Sequence, residues 1–400
     1  MNILFCSFFD VSSTKGGTER ITTTVSEGLK EAGHKCFLLY FRDIESDSIK
    51  TDFEKRIRIN KINTKTKPQI KNFLIENDID TLIIQGLFEM TAEMKNLVSE
   101  IDKKKISIIF VHHFNPGAEE SFLTFRKTVK SLKESPNNKF KNLTKTILYP
   151  IAKLKYHLKL RYHYKQTYLN ADKVVLLSER FIDPYIRYAQ LTNKDKFHII
   201  HNALSFNSFF DIADYNSKKK EIVIISRLEE KQKRIGLALR IWKKIEGIPI
   251  LEDWSLIIVG KGSDEAKYKQ YVKNHNLQRV FFEGRKEPQS YYQKASIFMM
   301  TSSFEGWGLT LTEAQQYGVV PIAFDSYASL HDIIQDGQNG FIIPNNNISE
   351  YVKKLKFLII NHDMRKEMAS LCIESSKRFS QENILQEWIK LLNSINELTN

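Results

Sequence analysis

The chain has 400 residues, 42% of them apolar, enough for two domains with substantial cores. Lysine and arginine number 60 against 47 acidic residues, a net charge of +13. Three scattered cysteines (Cys6, Cys36 and Cys372) argue against a disulfide framework and for a reducing compartment, and no stretch reaches the length of a spanning helix.

The first apolar run, NILFCSF, is bounded by polar residues and predicts a buried strand. No basic region precedes it, so a signal peptide is not expected. Gly16-Gly17-Thr18-Glu19-Arg20 then opens a helix through about Ala32, and CFLLY forms a second strand. This strand, glycine turn, helix, strand unit is the opening of a doubly wound sheet. It carries no G-x-G-x-x-G, so a nicotinamide cofactor has little support. Asp78-Ile79-Asp80 has the spacing of a metal-binding D-x-D, but it precedes the strand TLIIQG and so lies at the wrong edge of the sheet. No His/Cys cluster has zinc spacing either. ISIIFVHHFNPG is a buried strand ending in His112 and His113, where an open parallel sheet faces its ligand crevice.

Residues 121–165 hold twelve Lys or Arg and one acid, Glu134, a local net charge of +11. SLKESPNNKFKN reads as a loop. After it, Ile147, Leu148, Ile151, Leu154 and Leu158 recur at helical spacing among Lys153, Lys155, Lys159 and Arg161. A basic amphipathic helix of this kind suits an anionic membrane surface. The other reading of the apolar stripe is packing on the domain. Arginine is scarce and no nucleic-acid module surrounds the patch, so nucleic acid is not the expected partner.

From about residue 220 to 345 strands and helices alternate as a second Rossmann-like domain. The strand EIVII leads to Ser226-Arg227-Leu228, then Lys231, Lys233, Arg234 and the helix IGLALRIWKKI. Cations at a helix start oppose its dipole, a penalty that a bound anion would reverse. LIIVGKG ends in Gly262, VFFEGR ends in Arg285, and Ala295–Thr301 is the strand that delivers Glu305. In TSSFEGWGLTLTEAQQYGVVPIAF, Gly306-Trp307-Gly308 allows close backbone approach. Leu309–Tyr317 is a short helix stopped by Gly318. The first amides of that helix could hold a phosphate while Glu305 and Glu313 reach hydroxyl groups, an arrangement suited to a sugar nucleotide.

The string EGWGLTLTEA with YGVVPIAF resembles the signature of glycosyltransferase family 4, retaining enzymes of the GT-B fold. The resemblance covers most of the chain. Departures are Trp307, where the family has Phe or a similar aromatic, and Gln315-Gln316, where it has Met-Ala; these fall on side positions and leave both glutamates and both glycines in place. The implied fold is α/β, two Rossmann-like domains facing a central cleft. Its boundaries are 1–207 for the acceptor-binding domain with the basic insertion at 121–165, 208–380 for the donor domain, and 381–400 for a helix crossing back. The resemblance implies transfer from a nucleotide sugar, expected to be a UDP-sugar, to a cell-surface glycan (capsule, lipopolysaccharide or exopolysaccharide) that could be lipid-linked.

Donor contacts fall on Gly16, Gly17, Arg227, Lys233, Gly262, Arg285, Trp307, Gly308, Leu309, Thr310 and Glu313. Arg227 and Lys233 match the family's diphosphate clamp with one extra residue between them, which leaves Lys231 and Arg234 as substitutes. Catalytic positions fall on Glu305 and on His113 or His112; spacing to Pro116 favours His113, and another alignment favours His112. No metal and no cofactor are expected beyond the donor. The expected location is cytoplasmic, with peripheral attachment at the cytoplasmic face of the plasma membrane. The alternatives are a noncatalytic nucleotide-sugar-binding homologue and a polyanion-binding protein.

Overall fold

The structure, a computed structural model, describes residues 1–12, 16–43, 51–101, 105–122 and 149–397. It divides into two compact units, residues 1–200 with 389–400, and residues 201–388. Each is built on one parallel sheet covered by helices. In the first, β1 (Asn2–Phe9), β2 (Lys35–Arg42), β3 (Arg56–Arg58), β4 (Thr81–Gln85), β5 (Ser107–His112), β6 (Lys173–Leu176) and β7 (Phe197–Ile199) lie in the order 3-2-1-4-5-6-7. In the second, β8 (Glu221–Ile225), β9 (Ser255–Val259), β10 (Val280–Gly284), β11 (Ile297–Met300), β12 (Val320–Asp325) and β13 (Phe341–Pro344) lie in the order 10-9-8-11-12-13.

The burial of these parallel strands follows from their sequence. Strands covered on both faces read as continuous apolar runs, and Leu4, Phe5 and Cys6 or Leu256 and Ile258 are fully buried. Both sheets reverse direction once, between β1 and β4 and between β8 and β11. At such a switch point neighbouring loops diverge past the carboxyl ends of the strands and leave room for a ligand.

Asp80 lies at the opposite edge. Its carboxylate accepts a 2.6 Å bond from the Asn2 amide at the start of β1, so the D-x-D serves to align strands. All three cysteines are free and buried, and burial pushes the Cys36 thiol up to about 12. Among the described residues no helix is long and apolar enough to cross a membrane.

Most of the basic segment, residues 123–148, lies outside the described residues, and with it Ile147 and Leu148. The helix that follows, Tyr149–Asn170, buries Leu160, Tyr164 and Tyr168 in the first unit. Ile151, Leu154 and Leu158 are more than half exposed, so packing on the domain is not their role.

Candidate functional site

In the second unit the switch point is flanked by the loops after β8 and β11, and these carry the predicted residues. Leu228 donates its amide to Lys261 O at 3.0 Å. A Cβ at Gly262 would stand 2.4 Å from Leu228 O, so only glycine permits this loop approach. Gly262 therefore has a packing duty at the site's edge. Arg227 projects outward with 67% of its side chain exposed, Nη2 donating to Gln232 Oε1 at 3.2 Å. Gln232 Nε2 donates to Phe304 O at 3.2 Å and lies 3.4 Å from Glu305 Oε2. Lys233 Nζ sits 2.5 Å from Glu305 Oε1, with the two side chains 15% and 10% exposed. One continuous line, Arg227–Gln232–Glu305–Lys233, results. Sequence reasoning missed Gln232, whose only signal is its place between the two cations.

The substitutes for the clamp separate clearly. Arg234 adopts a left-handed backbone, φ 50°. Its guanidinium donates to Thr301 O at 2.5 Å, Ser302 O at 2.7 Å, Asn345 Oδ1 at 3.0 Å and Asn346 Oδ1 at 2.8 Å. It ties the loop after β11 in place and has its donors committed. Lys231 is exposed on the short helix Glu230–Lys233, and Arg285 is exposed just after β10.

Gly308, at φ 98°, precedes the helix Leu309–Gln316, and a Cβ there would lie 2.9 Å from Tyr327 Oη. The amides of Leu309 and Thr310 come before the first helical hydrogen bond, which Leu311 makes to Gly308 O at 2.8 Å. Trp307 turns its side chain inward. It stacks on His201 at 4.8 Å and meets Phe379 edge-on at 5.1 Å, while its carbonyl accepts from Ser329 Oγ at 3.4 Å.

Glu313 is fully buried, its carboxylate accepting from Ser205 Oγ at 2.6 Å and Tyr292 Oη at 2.9 Å. Gln316 is also fully buried and donates to Phe206 O and Ser208 O, which pins the segment carrying Ser205. Gln315 donates to Ile333 O and Asn339 O. Positions 315 and 316 are thus interior tethers, a correction to their reading as side positions.

In the first unit the ends of β4 and β5 bring His113 Nε2 to 2.5 Å from Gln85 Oε1. His112 sits among Phe88, Tyr164 and Tyr185, with Nε2 3.3 Å from Tyr164 Oη. Burial lowers His112 to about 3 and His113 to about 4, so both rings are neutral at physiological pH. Tyr164 donates to Glu119 Oε2 at 2.7 Å, and burial raises the Glu119 carboxyl to about 6. Glu119 went unnoticed in the sequence because its links are long-range: Oε1 lies 3.9 Å from His112 Nε2, and Oε2 accepts from a tyrosine 45 positions away. Gly16 caps the helix Gly17–Glu31, whose first turn also holds Glu19. A Cβ at Gly16 would stand 2.7 Å from Glu19 Oε2, so a carboxylate already faces that terminus. Among the described residues no three His, Cys, Asp or Glu side chains converge as a metal cradle.

Residues 206–371, the stretch holding both glutamates and the cations, match the family model described as glycosyl transferases group 1. The chain is 29% identical over 195 residues to the amylovoran biosynthesis glycosyltransferase AmsD of Erwinia amylovora, covering 48% of this chain and 53% of that protein. It is 27% identical over 278 residues to the poly(glycerol-phosphate) alpha-glucosyltransferase of Bacillus subtilis, covering 68% and 40%. These matched regions span about half or less of either relative. Among solved structures, the lipopolysaccharide outer core galactosyltransferase WaaB superposes with TM-score 0.70 at 18% identity, covering 98% of this chain and 99% of that one. Anabaena HepE in complex with UDP superposes with TM-score 0.71 at 14% identity, covering 98% and 100%. Likeness at this identity establishes the fold, GT-B, with two Rossmann-like domains.

Proposed function

We propose that this chain is a retaining, metal-independent glycosyltransferase of family 4 that moves a sugar from a UDP-sugar to a cell-surface glycan. The observation that carries the reading is the line Arg227–Gln232–Glu305–Lys233 beside the open amides of Leu309 and Thr310. It sets two cations and a helix terminus beside a carboxylate at a sheet's switch point. Relatives named for amylovoran biosynthesis and for glucosyl transfer to poly(glycerol-phosphate) support a polymer acceptor, with a lipid-linked glycan at an anionic membrane surface as the specific proposal.

Departure of the nucleotide diphosphate leaves an oxocarbenium-like sugar. Arg227, Lys233 and the two amides neutralise the leaving charge, the largest electrostatic contribution in such a reaction. Glu305 orients donor-sugar hydroxyls, and Glu313 grips the ribose by exchanging a protein hydroxyl for a ribose hydroxyl. Gly16, Gly17, His112 and His113 serve the same reaction from the first domain, with neutral imidazoles acting as hydrogen-bonding groups. Attack from the face of departure retains the anomeric configuration.

The test is calorimetric binding of UDP in EDTA to the native protein, Arg227→Ala and Glu313→Ala. Metal-free binding lost in both variants supports the donor site and justifies screening UDP-sugars for turnover. Binding without turnover on any donor would leave a noncatalytic sugar-nucleotide binder. Failure with UDP, GDP and ADP would overturn the proposal.

A further inference from the structure

The helix Tyr149–Asn170 is apolar on two opposite faces. At about 3.6 residues per turn, Leu160, Tyr164, Thr167 and Tyr168 share one face, and all are buried in the first unit. Ile151, Leu154, Leu158 and Tyr162 share the other, with exposures of 52%, 58%, 53% and 61%. Their spacing of three, four and four keeps them in one stripe over three turns. Four large apolar side chains in a row, each more than half in water, are not the usual scatter of single exposed residues.

The charge around the stripe selects its occupant. The helix contains no Asp or Glu. Lys165 falls within the stripe's arc, Lys155 and Arg161 border it on either side, and Lys159 lies further round. Of these four, among the described residues only Lys159 has a carboxylate in salt-bridge range, Glu89 at 2.7 Å. Leucines framed by lysines fit a surface that is anionic outside and hydrocarbon beneath. The leucines enter the acyl boundary while the long lysine stems return their charges to the phosphates. A polyanion such as nucleic acid would use the cations and leave the leucines wet.

We propose that this face docks on an anionic lipid bilayer, with Ile151, Leu154, Leu158 and Tyr162 inserted at the headgroup level. The inference deepens the membrane-surface part of the proposed function and does not depend on the transfer chemistry.

The experiment is flotation of the full chain with phosphatidylglycerol-containing vesicles against pure phosphatidylcholine vesicles. Binding is expected only to the first, with partition falling at least ~30-fold in Leu154→Gln/Leu158→Gln, a loss drawn from the burial of two leucines. Lys155→Gln/Lys165→Gln is expected to weaken it about tenfold or more. The leucines are mostly solvated, so thermal melting of these variants is expected to match the parent. Leu158→Cys carrying an environment-sensitive fluorophore gives a second readout, since Cys6, Cys36 and Cys372 are buried. A blue shift on anionic vesicles supports insertion.

Absence of vesicle binding overturns the proposal, as does binding that the leucine changes leave intact. An unshifted fluorophore with full competition by polyphosphate would assign the face to polyanions. A dimer dissolved by the leucine changes, without vesicle binding, would assign it to a second copy of this chain. UDP calorimetry on the same preparations separates the two proposals. Nucleotide binding with no vesicle binding rejects the docking face alone, and the reverse rejects the transferase.

Discussion

Replacing Glu305 by glutamine should tighten nucleotide binding while abolishing transfer. Lys233 Nζ lies 2.5 Å from Glu305 Oε1, and both side chains are largely withdrawn from water. The lysine charge that would hold a diphosphate is therefore already neutralised. A unit charge pair at ~4 Å is worth about 4 kcal/mol at an effective dielectric of 20, before solvent and salt reduce it. Releasing even a third of that toward the diphosphate gives ~1.4 kcal/mol, or about tenfold tighter UDP binding. Glutamine keeps a hydrogen-bonding carbonyl for Lys233, so the stability cost stays below the ~3–5 kcal/mol typical of a stranded buried charge. Transfer should fall at least ~100-fold, the scale on which misplaced reacting groups lose rate. Calorimetry with UDP in EDTA and UDP release from the productive donor measure the two sides. If Glu305→Gln weakens UDP binding as much as it weakens transfer, the carboxylate belongs to the nucleotide site and the reasoning fails.

Further outcomes follow from the same contacts. Arg227→Ala should cost about tenfold or more in UDP affinity with an unchanged melting temperature, because its side chain is mostly in solvent. Arg234→Ala should instead lower stability by ~2–3 kcal/mol in urea titration, because the Thr301 and Ser302 carbonyls lose their donor. Ser205→Ala should tighten UDP binding a few-fold if its hydroxyl competes with ribose for Glu313, and calorimetry that finds weakening would reject that exchange. Glu119 gives a pH signature. Its folded value near 6 exceeds the unfolded carboxylate range, so the folded chain binds the extra proton between about 4.3 and 6. Its contribution is therefore present below pH ~4.3 and about 2 kcal/mol of stability is lost as pH rises through 6. Among the described residues the groups facing it are Tyr156, Tyr164, Tyr185, Tyr188, Glu120 and His112, and His112 stays neutral through that window. Glu119→Gln should gain stability relative to the parent by that amount between pH 4.5 and 7.5, and an equal gap at both pH values would refute it.

The strands and the loop after β11 were legible because their information is local. An apolar run between turn residues specifies a buried strand wherever it pairs, and Glu305, Gly306 and Gly308 lie in one short string. The rest is long-range. Ser205 meets Glu313 across 108 positions, and no period or motif announces such a pair. Gln315 and Gln316 are polar residues in a helix, yet both are fully buried because backbone carbonyls of distant segments accept their amides. Sequence pattern sorts residues by hydropathy and cannot see a tether of that kind. The helix Tyr149–Asn170 was legible in part: the stripe Ile151, Leu154 and Leu158 shows at helical spacing, but the buried face does not. Two apolar faces compete for one core, and only packing reveals that Leu160, Tyr164 and Tyr168 win over Ile151, Leu154 and Leu158.

Burial of Glu313 bears directly on how the donor half could work. A carboxylate at zero exposure is costly unless hydroxyl or amide donors replace its water. Ser205 Oγ and Tyr292 Oη supply two such donors, one to each oxygen. Two neighbouring hydroxyls are also what a ribose diol offers a carboxylate, so the protein contacts imitate the proposed ligand contacts in chemistry and number. These contacts leave no exposed charge, and on this reading ribose binding exchanges one O–H donor for another at small net cost. Gln316 sharpens the argument, because its two bonds to Phe206 O and Ser208 O hold the segment on which Ser205 rides. The short segment 205–208 is therefore part of the nucleotide-binding machinery on this reading, although no residue of it carries a charge.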